Sequence, residues 1–550
     1  MALSLSASLA TPFAARATNG AGPKRAPLHK TTVRTRATSH GRPYAIDART
    51  GDVVIPHIAG QVSGSVEKTH SDVPELTSAK PRKTIVTVLG SGWGAVSFVK
   101  SLDPALFGPS GDFELVVISP RDHFVYTPLL PALASGAVEA SSITTPMVDV
   151  IASKGRFIQA AVSQIDTNLK VLTCAWNGAQ KFVDPTTGET TERDHVYSFQ
   201  MRYDILIGAI GSKTATFGIP GVDEHAFMIR NAEDSILLRR RFEGCVASAA
   251  EDRVSLAERR RLTNVVVIGG GPTGVEVAAE LQELVDDDFE RLCDKGHAGA
   301  EWPRVILVSN TDALLMTFSE KASEYATKRL AGTGVDEMLG YNVTRVTEEG
   351  VEVVAPSGNT EFIEAATVVW AGGVEATDLT RDLAKTFATK AGASPVRRGV
   401  RVDETLRPVG SDGSIFWIGD AAATAAAPGE QLPPTAQVAR SQGEYVAGLF
   451  NKGFLKTEGG HSDRKTVSVS PDSRPYAYEH KGSMCYVGRQ AAVVDFPTGH
   501  TSTGAAASLL WRAFETISQV TPRNRAAVLG DFAKTIATGH HVDEDILPLP

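Results

Sequence analysis

Residues 83–95 read KTIVTVLGSGWGA, a short β-branched run that leads directly into glycines and small residues. The run predicts a buried strand, and apolar residues at helical spacing over 96–102 predict a helix behind it. In such a strand–turn–helix unit, Gly90 allows the tight turn and Gly92 lets backbone amides approach a pyrophosphate. The small Ala95 allows the helix to pack closely on the strand. One such motif is only a weak indication of a dinucleotide fold.

A second copy of the motif lies 179 residues later. Asn264–Gly274 reads NVVVIGGGPTG and again leads into apolar residues at helical spacing. Two dinucleotide folds in one chain favour two dinucleotides whose reactive rings meet. A flavin that stays bound and a nicotinamide that exchanges are the simplest such pair.

Two further strands fit this scheme. Tyr203–Gly211 (YDILIGAIG) ends in small residues, and Ile415–Ile418 is followed by Gly419 and Asp420. An acid placed directly after a buried strand and a glycine is positioned to bind a ribityl hydroxyl of FAD, although an isolated strand-Gly-Asp is also an ordinary turn. We therefore predict an α/β fold with two Rossmann-like domains, followed by a C-terminal helical segment. The predicted units are a transit peptide (1–46), a linker (47–82), a first FAD-binding part (83–240), an NAD(P)H-binding domain (241–375), a second FAD-binding part (376–455) and a C-terminal membrane-anchoring or dimerisation region (456–550).

Composition excludes several other classes. The chain is 42% hydrophobic and 21% charged, as expected for a folded protein, and its net charge of −8 argues against nucleic-acid binding. No apolar run is long enough to span a membrane. The four cysteines lie far apart with no CxxC pair, and no calcium-binding loop motif is present, so we predict no metal site and no thiol relay.

The first 46 residues differ from the rest in composition. They contain seven basic residues and no acid, and they are rich in alanine, serine and threonine. This composition is typical of an organelle transit peptide, with a disordered basic tail as the alternative. The sequence VRTRA at 33–37 favours a chloroplast, on the stromal side of the thylakoid, over the mitochondrial inner membrane.

Several segments resemble one family, the type II NAD(P)H:quinone oxidoreductases. The resemblance covers about residues 83–540 in the family's order. The segments that carry it are SPRDHF (119–124), TPLLP (127–131), TFGIPGV (216–222), the block from Gly269 to Glu280, LPPTAQVA (432–439) and YEHKGS (478–483).

The resemblance implies a single-subunit, non-pumping enzyme with FAD as cofactor and NADH or NADPH as cosubstrate. It also assigns roles to residues of this chain. The predicted FAD residues are Gly90, Gly92, Gly94, Ala95, Ser119, Arg121, Thr127, Gly211, Gly419 and Asp420. The predicted nicotinamide dinucleotide residues are Gly269, Gly271, Pro272, Thr273, Gly274, Ser309 and Asn310.

The residues at the end of the second strand of the second fold determine whether NADH or NADPH is preferred. An acid there accepts hydrogen bonds from the adenosine ribose hydroxyls of NADH and repels the 2′-phosphate of NADPH. Ser309 and Asn310 stand where NADH-specific members of the family have glutamate. No arginine follows immediately, so we expect use of both coenzymes or a modest preference for NADPH.

The predicted quinone site lies on one helix and comprises Ala436, Gln437, Ser441 and Gln442. The family places two glutamines four residues apart on one helix face. Here Ser441 occupies the second position, and Gln442 lies five residues from Gln437, too far around the helix to share its face.

Glu276, two residues after the last glycine of the second motif, is the predicted catalytic residue. The resemblance places it near the nicotinamide–flavin contact, where it would handle protons. The alternative is a carboxylate that only stabilises the helix N-terminus.

The C-terminus carries two amphipathic segments. Leu509, Leu510, Phe514 and Ile517 share one helical face beside Trp511 and Arg512, and a second segment follows Pro522 with Arg523, Arg525 and Lys534. Periodicity alone favours helices packed on the core. The resemblance favours helices that dock on a membrane and support a homodimer.

The predicted function is hydride transfer from NAD(P)H to FAD, then transfer of two electrons to plastoquinone or ubiquinone. Two alternatives stay open. One is a soluble reductase of a small redox protein, and the other is a redox sensor similar to apoptosis-inducing factor.

Overall fold

The computed structural model describes residues 83–108, 110–183, 190–251, 253–292, 303–396, 398–427, 430–458 and 466–540. The predicted transit peptide and linker (1–82) lie outside these residues, as does Cys293.

The first glycine motif belongs to a five-stranded parallel sheet. Four of its strands are largely buried and rich in valine, leucine and isoleucine, as expected when both faces of a sheet are covered, whereas the edge strand Gly155–Gln159 is not buried. In spatial order the five strands are Ile415–Trp417, Ile205–Gly208, Thr84–Leu89, Phe113–Ser119 and Gly155–Gln159.

The second motif belongs to another five-stranded parallel sheet, so the predicted two-domain α/β fold is confirmed. Its strands in spatial order are Phe227–Met228, Thr367–Trp370, Val265–Ile268, Val305–Ser309 and Asp336–Leu339.

Three predicted domain boundaries, at 240, 375 and 455, fall inside elements, the one at 375 inside strand Val374–Ala376. Strand Phe227–Met228 pairs with Thr367–Trp370, so the second sheet begins before residue 241. The boundary at 240 falls within helix Ala232–Ala249, and that at 455 falls at the start of strand Leu455–Glu458. A two-residue strand has too little periodicity to be recognised from sequence.

Smaller sheets and ribbons complete the strand content. They are His123–Val125 with Thr144–Pro146; Ala161–Asp166, Val171–Val183 and Thr190–Arg202; Ser212–Thr214 with Val374–Ala376; Asn342–Val346, Gly350–Val354 and Thr360–Glu364; Val400–Arg401 with Ala422–Ala423; Ala425–Ala427 with Glu430–Gln431; Leu455–Glu458 with Thr466–Val469; and Ser483–Tyr486, Ala492–Asp495 and Thr501–Gly504.

The described α-helices are Trp93–Ser101, Pro104–Phe107, Leu130–Ser135, Ala140–Ile143, Met147–Ile151, Val222–His225, Ala232–Ala249, Leu256–Thr263, Pro272–Leu292, Glu320–Ala331, Asp378–Lys390, Ala436–Asn451, Ala505–Ile517 and Pro522–Thr538.

One helix–helix contact sets the position of the predicted quinone helix. Helix Ala436–Asn451 crosses helix Trp93–Ser101 so closely that a Cβ added to Gly443 would lie 2.4 Å from the Gly94 carbonyl oxygen. A Cβ added to Gly94 would lie 3.2 Å from the Ile418 side chain. Small residues on both helices therefore hold the quinone helix against the predicted FAD turn.

The two C-terminal helices pack on the core with one face and expose the other. Trp511 stacks on Tyr486 with ring centroids 5.0 Å apart, and Arg512 lies 4.9 Å from the Phe532 ring. Trp511, which the sequence places beside the apolar stripe, therefore faces the core, because aromatic partners from other elements bury it. Large apolar side chains do cover the outer face: Leu509, Leu510, Phe514, Ile517, Leu529 and Ile536. Within the described residues, no helix combines the length and apolarity needed to cross a bilayer.

Candidate functional site

The two glycine turns have the same backbone design. Gly90 has φ +106°, and a Cβ there would lie 2.3 Å from the Ala209 carbonyl oxygen. Gly269 has φ +126°, and a Cβ there would lie 2.5 Å from the Ala371 carbonyl oxygen. In each case the end of the neighbouring strand crowds the turn and excludes any side chain.

The next motif glycines face open space. An added Cβ would meet no atom within 4 Å at Gly92 or at Gly271. Gly92 is the N-cap of helix Trp93–Ser101, and no side chain caps that end. An uncapped helix N-terminus under a glycine turn is suited to a pyrophosphate, so both turns fit a dinucleotide.

Polar side chains surround the first turn. Ser119, at the end of its strand, is buried and donates a 3.0 Å hydrogen bond to Ser91, and its hydroxyl also accepts from the Arg121 backbone amide at 3.2 Å. Burial lowers the pKa of the half-buried Arg121 guanidinium, and the charge of Glu233 opposes that shift. Thr127 is exposed and accepts a 2.9 Å hydrogen bond from the Trp93 indole.

Gly419 and Asp420 follow the edge strand of the same sheet. Gly419 has φ +70°, and its amide donates a 2.6 Å hydrogen bond to the Gln442 side chain. Asp420 accepts a 2.7 Å hydrogen bond from Ser212, which follows Gly211 (φ +69°). The carboxyl ends of four parallel strands thus bring the predicted FAD residues to one edge of the sheet.

In the second turn, the first turn of the helix lies close against the glycine loop. A Cβ at Gly274 would lie 1.9 Å from the Gly269 carbonyl oxygen, whereas Pro272 and Thr273 are exposed. Ser309 is buried at the end of its strand. It lies within 2.8 Å of the Thr311 hydroxyl, while Asn310 is exposed.

The predicted quinone residues separate into two environments. Gln437 accepts hydrogen bonds from the Tyr478 hydroxyl and, at 3.1 Å, from the Lys481 amide. Ser441, one turn on, accepts from the Tyr476 hydroxyl at 3.3 Å. An extended segment therefore runs along this half-buried helix face and presents two phenols to it.

Gln442 faces the other way. It is buried and bridges the Gly419 amide and the Thr424 hydroxyl, at 2.6 and 2.9 Å. Ala436, the first residue of the helix, is half-buried. The structure thus brings Gln437 and Ser441 together and directs Gln442 into the Gly419 loop.

Glu276 is buried at the start of helix Pro272–Leu292. Its carboxylate accepts a 3.1 Å hydrogen bond from the Tyr486 amide. Burial raises its pKa well above the usual value, and the charges of Glu515 and Glu280 add to that shift.

The sequence did not predict Glu515 or Tyr126 as site residues, although the charge of Glu515 acts on Glu276. Glu515, on helix Ala505–Ile517, is buried; burial raises its pKa to about 7, and its interaction with the Tyr126 hydroxyl opposes that shift. Tyr126 in turn packs on Trp93 with ring centroids 5.0 Å apart. A signal for Glu515 was present, because it is the lone acid of an apolar helix and follows Trp511 at i+4.

Further acids lie along helix Pro272–Leu292, the helix that carries Glu276. Glu280 accepts from Ser135 at 2.7 Å and lies 3.4 Å from His540, which also contacts Asp287 at 2.8 Å. Burial alone would lower the pKa of His540, but Asp287 and Glu280 outweigh it and raise that pKa to about 10. The charged imidazole therefore neutralises this acidic group and fixes the C-terminal end of the described chain.

The described cysteines do not form a redox pair. Cys174, Cys245 and Cys485 are free and buried. Burial and the nearby charge of Glu276 raise the pKa of Cys485 well above its usual value, so its thiol stays protonated and unreactive.

Two protein families match this chain. Residues 84–443 match the pyridine nucleotide-disulphide oxidoreductases, and residues 480–541 match the NDH2 C-terminal domain. The first range contains both sheets, and the second contains the C-terminal sheet and both C-terminal helices.

Individual relatives agree. The chain is 30% identical over 507 residues to an external alternative NADH-ubiquinone oxidoreductase, mitochondrial, of Yarrowia lipolytica, covering 85% of this chain and 82% of that protein. It is 27% identical to an external alternative NAD(P)H-ubiquinone oxidoreductase B4, mitochondrial, of Arabidopsis thaliana, covering 86% and 91%.

A solved structure shares the fold. NDH2 from Plasmodium falciparum, in complex with NADH, matches with a TM-score of 0.71 at 22% identity and covers 84% of this chain and 99% of that one. From its two dinucleotide folds, its C-terminal domain and these relatives, the chain belongs to the type II NAD(P)H:quinone oxidoreductases, flavoprotein enzymes that pass electrons from NAD(P)H to quinone.

Proposed function

We propose that the first glycine turn holds FAD, that the second holds NAD(P)H, and that electrons leave to a quinone beside Gln437 and Ser441. The observation that carries this assignment is a contact between the predicted FAD-binding part and the second motif helix. Ser135, on helix Leu130–Ser135, donates a 2.7 Å hydrogen bond to Glu280 on helix Pro272–Leu292. Two dinucleotides bound on these turns would extend toward the same region.

Bound FAD supplies the chemistry of accepting a hydride and releasing two electrons. The chain's own residues bind and orient the reactants. The open turns at Gly92 and Gly271 receive the pyrophosphates, and Asp420 and Arg121 supply a carboxylate and a guanidinium at the flavin edge of the first sheet.

The quinone assignment is supported by the polar face of helix Ala436–Asn451. Gln437, Ser441, Tyr476 and Tyr478 offer hydrogen-bond donors and acceptors on one half-buried surface. A quinone carbonyl needs donors, and its ring needs apolar surroundings, so a surface of phenols and amides suits it.

The exposed apolar stripe of the C-terminal helices supports docking on a membrane surface. Leu509 and Ile517 are 71% and 66% exposed, and Arg523, Arg525 and Lys534 are exposed on the adjoining helix. Apolar side chains next to basic ones suit the boundary between acyl chains and headgroups. A homodimer, which the resemblance implies, is part of the same proposal.

The organelle is proposed from the relatives. Those named above carry mitochondrial names, which favours a mitochondrial membrane and ubiquinone for this chain. The chloroplast location, favoured by residues 33–37, stays a prediction that no relative named above supports.

Steady-state oxidation of NADH and NADPH by the full chain tests the proposal. A short-chain quinone and a long-chain quinone are each supplied with and without lipid vesicles. Quinone-dependent turnover, with a vesicle requirement for the long-chain quinone alone, is expected. Turnover only with a small redox protein as acceptor would replace quinone with that protein, and flavin reduction without turnover would favour the sensor alternative.

A further inference from the structure

Phe217 lies in a tight turn whose backbone conformation is unusual for an aromatic residue. Its φ is +53°, and that of Gly218 is +71°. The Ile219 amide donates a 3.0 Å hydrogen bond to the Thr216 carbonyl oxygen and closes the turn. Positive φ at both central residues is the property of a type I′ turn, in which glycine, asparagine and aspartate are favoured. A phenylalanine at the first central position is therefore strained.

Packing within the protein does not explain this strained phenylalanine. Leu315 and Leu406 also have positive φ, of +52° and +64°, but both are completely buried, so the surrounding core holds them in place. Phe217 is 63% exposed. Backbone strain and an exposed aromatic ring thus occur together at one position. Both lower stability in the free protein, and the combination indicates a role in binding a ligand.

The Phe217 ring lies close to the loop that follows a central strand of the second sheet. A Cβ added to Gly373 would lie 3.8 Å from Cζ at the tip of the ring. Gly373 follows strand Thr367–Trp370 by three residues, and the carbonyl oxygen of Ala371, in between, lies against the glycine turn at Gly269. Phe217 is therefore at the edge of the second sheet where the coenzyme is proposed to bind.

The same chain segment also reaches the predicted FAD site. Ser212 donates a 2.7 Å hydrogen bond to Asp420. Three residues on, the Ala215 amide donates a 3.0 Å hydrogen bond to the Gly373 carbonyl oxygen. Residues 212–215 therefore span from a predicted FAD residue to the loop beside the Phe217 ring. The end of a coenzyme that reaches toward the flavin would lie near this segment.

Strand order indicates which end of the coenzyme that is. Ser309, the residue predicted to lie at the adenosine ribose, ends strand Val305–Ser309. That strand lies on one side of Val265–Ile268, and Thr367–Trp370 lies on the other. The Phe217 ring is thus near the strand that faces away from the adenosine position, which leaves the nicotinamide end for Phe217.

We propose that Phe217 binds the nicotinamide ring of NAD(P)H. Nicotinamide is a flat ring, and stacking of two flat rings is worth about two- to tenfold in a binding constant, to which burial of the exposed phenyl ring adds. In NAD(P)⁺ the nicotinamide is also cationic, and a phenyl face attracts a cation. This inference rests on the proposed coenzyme site and adds a residue to it.

The test is Phe217→Asn in the full-length holoenzyme, because asparagine tolerates positive φ and lacks the ring. We expect the KM for NADH, and the dissociation constant of NAD⁺ measured by calorimetric titration, to rise at least about fivefold. The KM for NADPH should rise by the same factor, since both coenzymes share the nicotinamide end, while kcat stays within about twofold. The melting temperature should stay equal or rise, because strain is relieved and no buried side chain is lost.

Two further variants separate ring binding from a general effect of substitution. Phe217→Tyr keeps the ring, so its KM for NADH should stay within about twofold of the wild-type value. Phe362→Asn is the matched control, because Phe362 is also exposed, at 47%, but lies on the edge strand Thr360–Glu364 of a separate sheet. Its KM and its NAD⁺ affinity should not change. FAD content, measured by absorbance, should be normal in all three variants.

Three results would overturn the inference. One is unchanged binding of NAD⁺ and NADH in Phe217→Asn. The second is a loss confined to NADPH, which would place the ring at the adenosine end. The third is a rise in KM accompanied by loss of FAD and a lower melting temperature, which would indicate a structural role. Failure of NADH and NADPH to reduce the flavin of the wild-type enzyme would instead refute the proposed function, so the two failures are distinguishable.

Discussion

At the scale of single residues, substitutions at Gly92 and Gly271 test the two dinucleotide sites one at a time. An added methyl group would meet no protein atom at either position, so an alanine there should not disturb folding. It would instead occupy space in which the ligand is expected to lie. Gly92→Ala should weaken FAD binding about tenfold or more, since one lost charge-assisted contact is worth about 1.5–3 kcal/mol. Gly271→Ala should raise the KM for NAD(P)H by a similar factor and leave FAD content unchanged.

The matched control for both is Gly448→Ala. This glycine lies within helix Ala436–Asn451 and also has no neighbour within 4 Å of an added Cβ. We expect stabilisation of about 0.5–1 kcal/mol with normal FAD content. The measurements are the FAD content of each variant by absorbance and its KM for NAD(P)H by steady-state kinetics. Full FAD in Gly92→Ala with unchanged KM in Gly271→Ala would refute the assignment of the turns.

Ser309 governs coenzyme choice in our account. Introducing a carboxylate by Ser309→Glu should repel a 2′-phosphate and reduce kcat/KM for NADPH at least about tenfold, while NADH is affected less. Asn310→Glu is the comparison, because successive side chains of a strand point to opposite faces and Asn310 is exposed where Ser309 is buried. A wild-type enzyme strictly specific for NADH would remove the basis of this prediction.

At the scale of elements, helix Ala436–Asn451 serves two sites with two faces. Gln442→Ala would leave the Gly419 amide and the Thr424 hydroxyl without partners, so unfolding should become easier by about 1–3 kcal/mol and FAD should dissociate sooner. Gln437→Ala should instead raise the KM for quinone severalfold, with little loss of stability.

Thermal melts and quinone titrations distinguish the two glutamines, and Glu444→Ala on the exposed face of the same helix is the control. Equal effects of both substitutions on quinone KM would contradict the separation of faces.

The central strands and glycine turns were predictable because their signals are local. Val265–Ile268 and Thr84–Leu89 lie within the predicted runs, and the turns that follow them need glycine for reasons that act within a few residues. The spacing of Gln437 and Gln442 also indicated that these side chains leave the helix on different faces.

What the sequence could not supply depends on distant partners. Trp511 is buried by Tyr486 and Phe532, and its own helix gives no sign of either. Glu515 meets Tyr126 across nearly 390 residues of chain. Such contacts arise only once the C-terminal helices dock on the two-sheet body, so periodicity within one element cannot reveal them.

At the scale of the whole molecule, the C-terminal helices pack on the core with one face and expose an apolar outer face, on which we propose membrane docking. The core-packing interpretation of their periodicity is confirmed for Val528 and Phe532, which are buried, whereas docking through exposed residues such as Leu529 and Ile536 stays a prediction. The inner face fixes the helices to the enzyme and leaves the outer face exposed.

Charges on the outer face should therefore remove membrane binding without loss of the chemistry. In Leu509→Glu/Ile517→Glu, we expect vesicle co-sedimentation to fall by at least about tenfold, because each buried leucine or isoleucine contributes about 1.5–3 kcal/mol. Turnover with a water-soluble quinone should persist. Leu256→Glu, at an exposed leucine on helix Leu256–Thr263, is the control, and equal loss of sedimentation there would point to a nonspecific charge effect.

The central claim is that one bound flavin passes electrons from NAD(P)H to quinone. Anaerobic stopped-flow absorbance on the holoenzyme tests it most directly, by mixing with NADH or NADPH and then with quinone. We predict rapid bleaching of the flavin by either coenzyme, then reoxidation by quinone at least as fast as steady-state turnover. Flavin that is reduced but stays reduced when quinone is added would contradict the account.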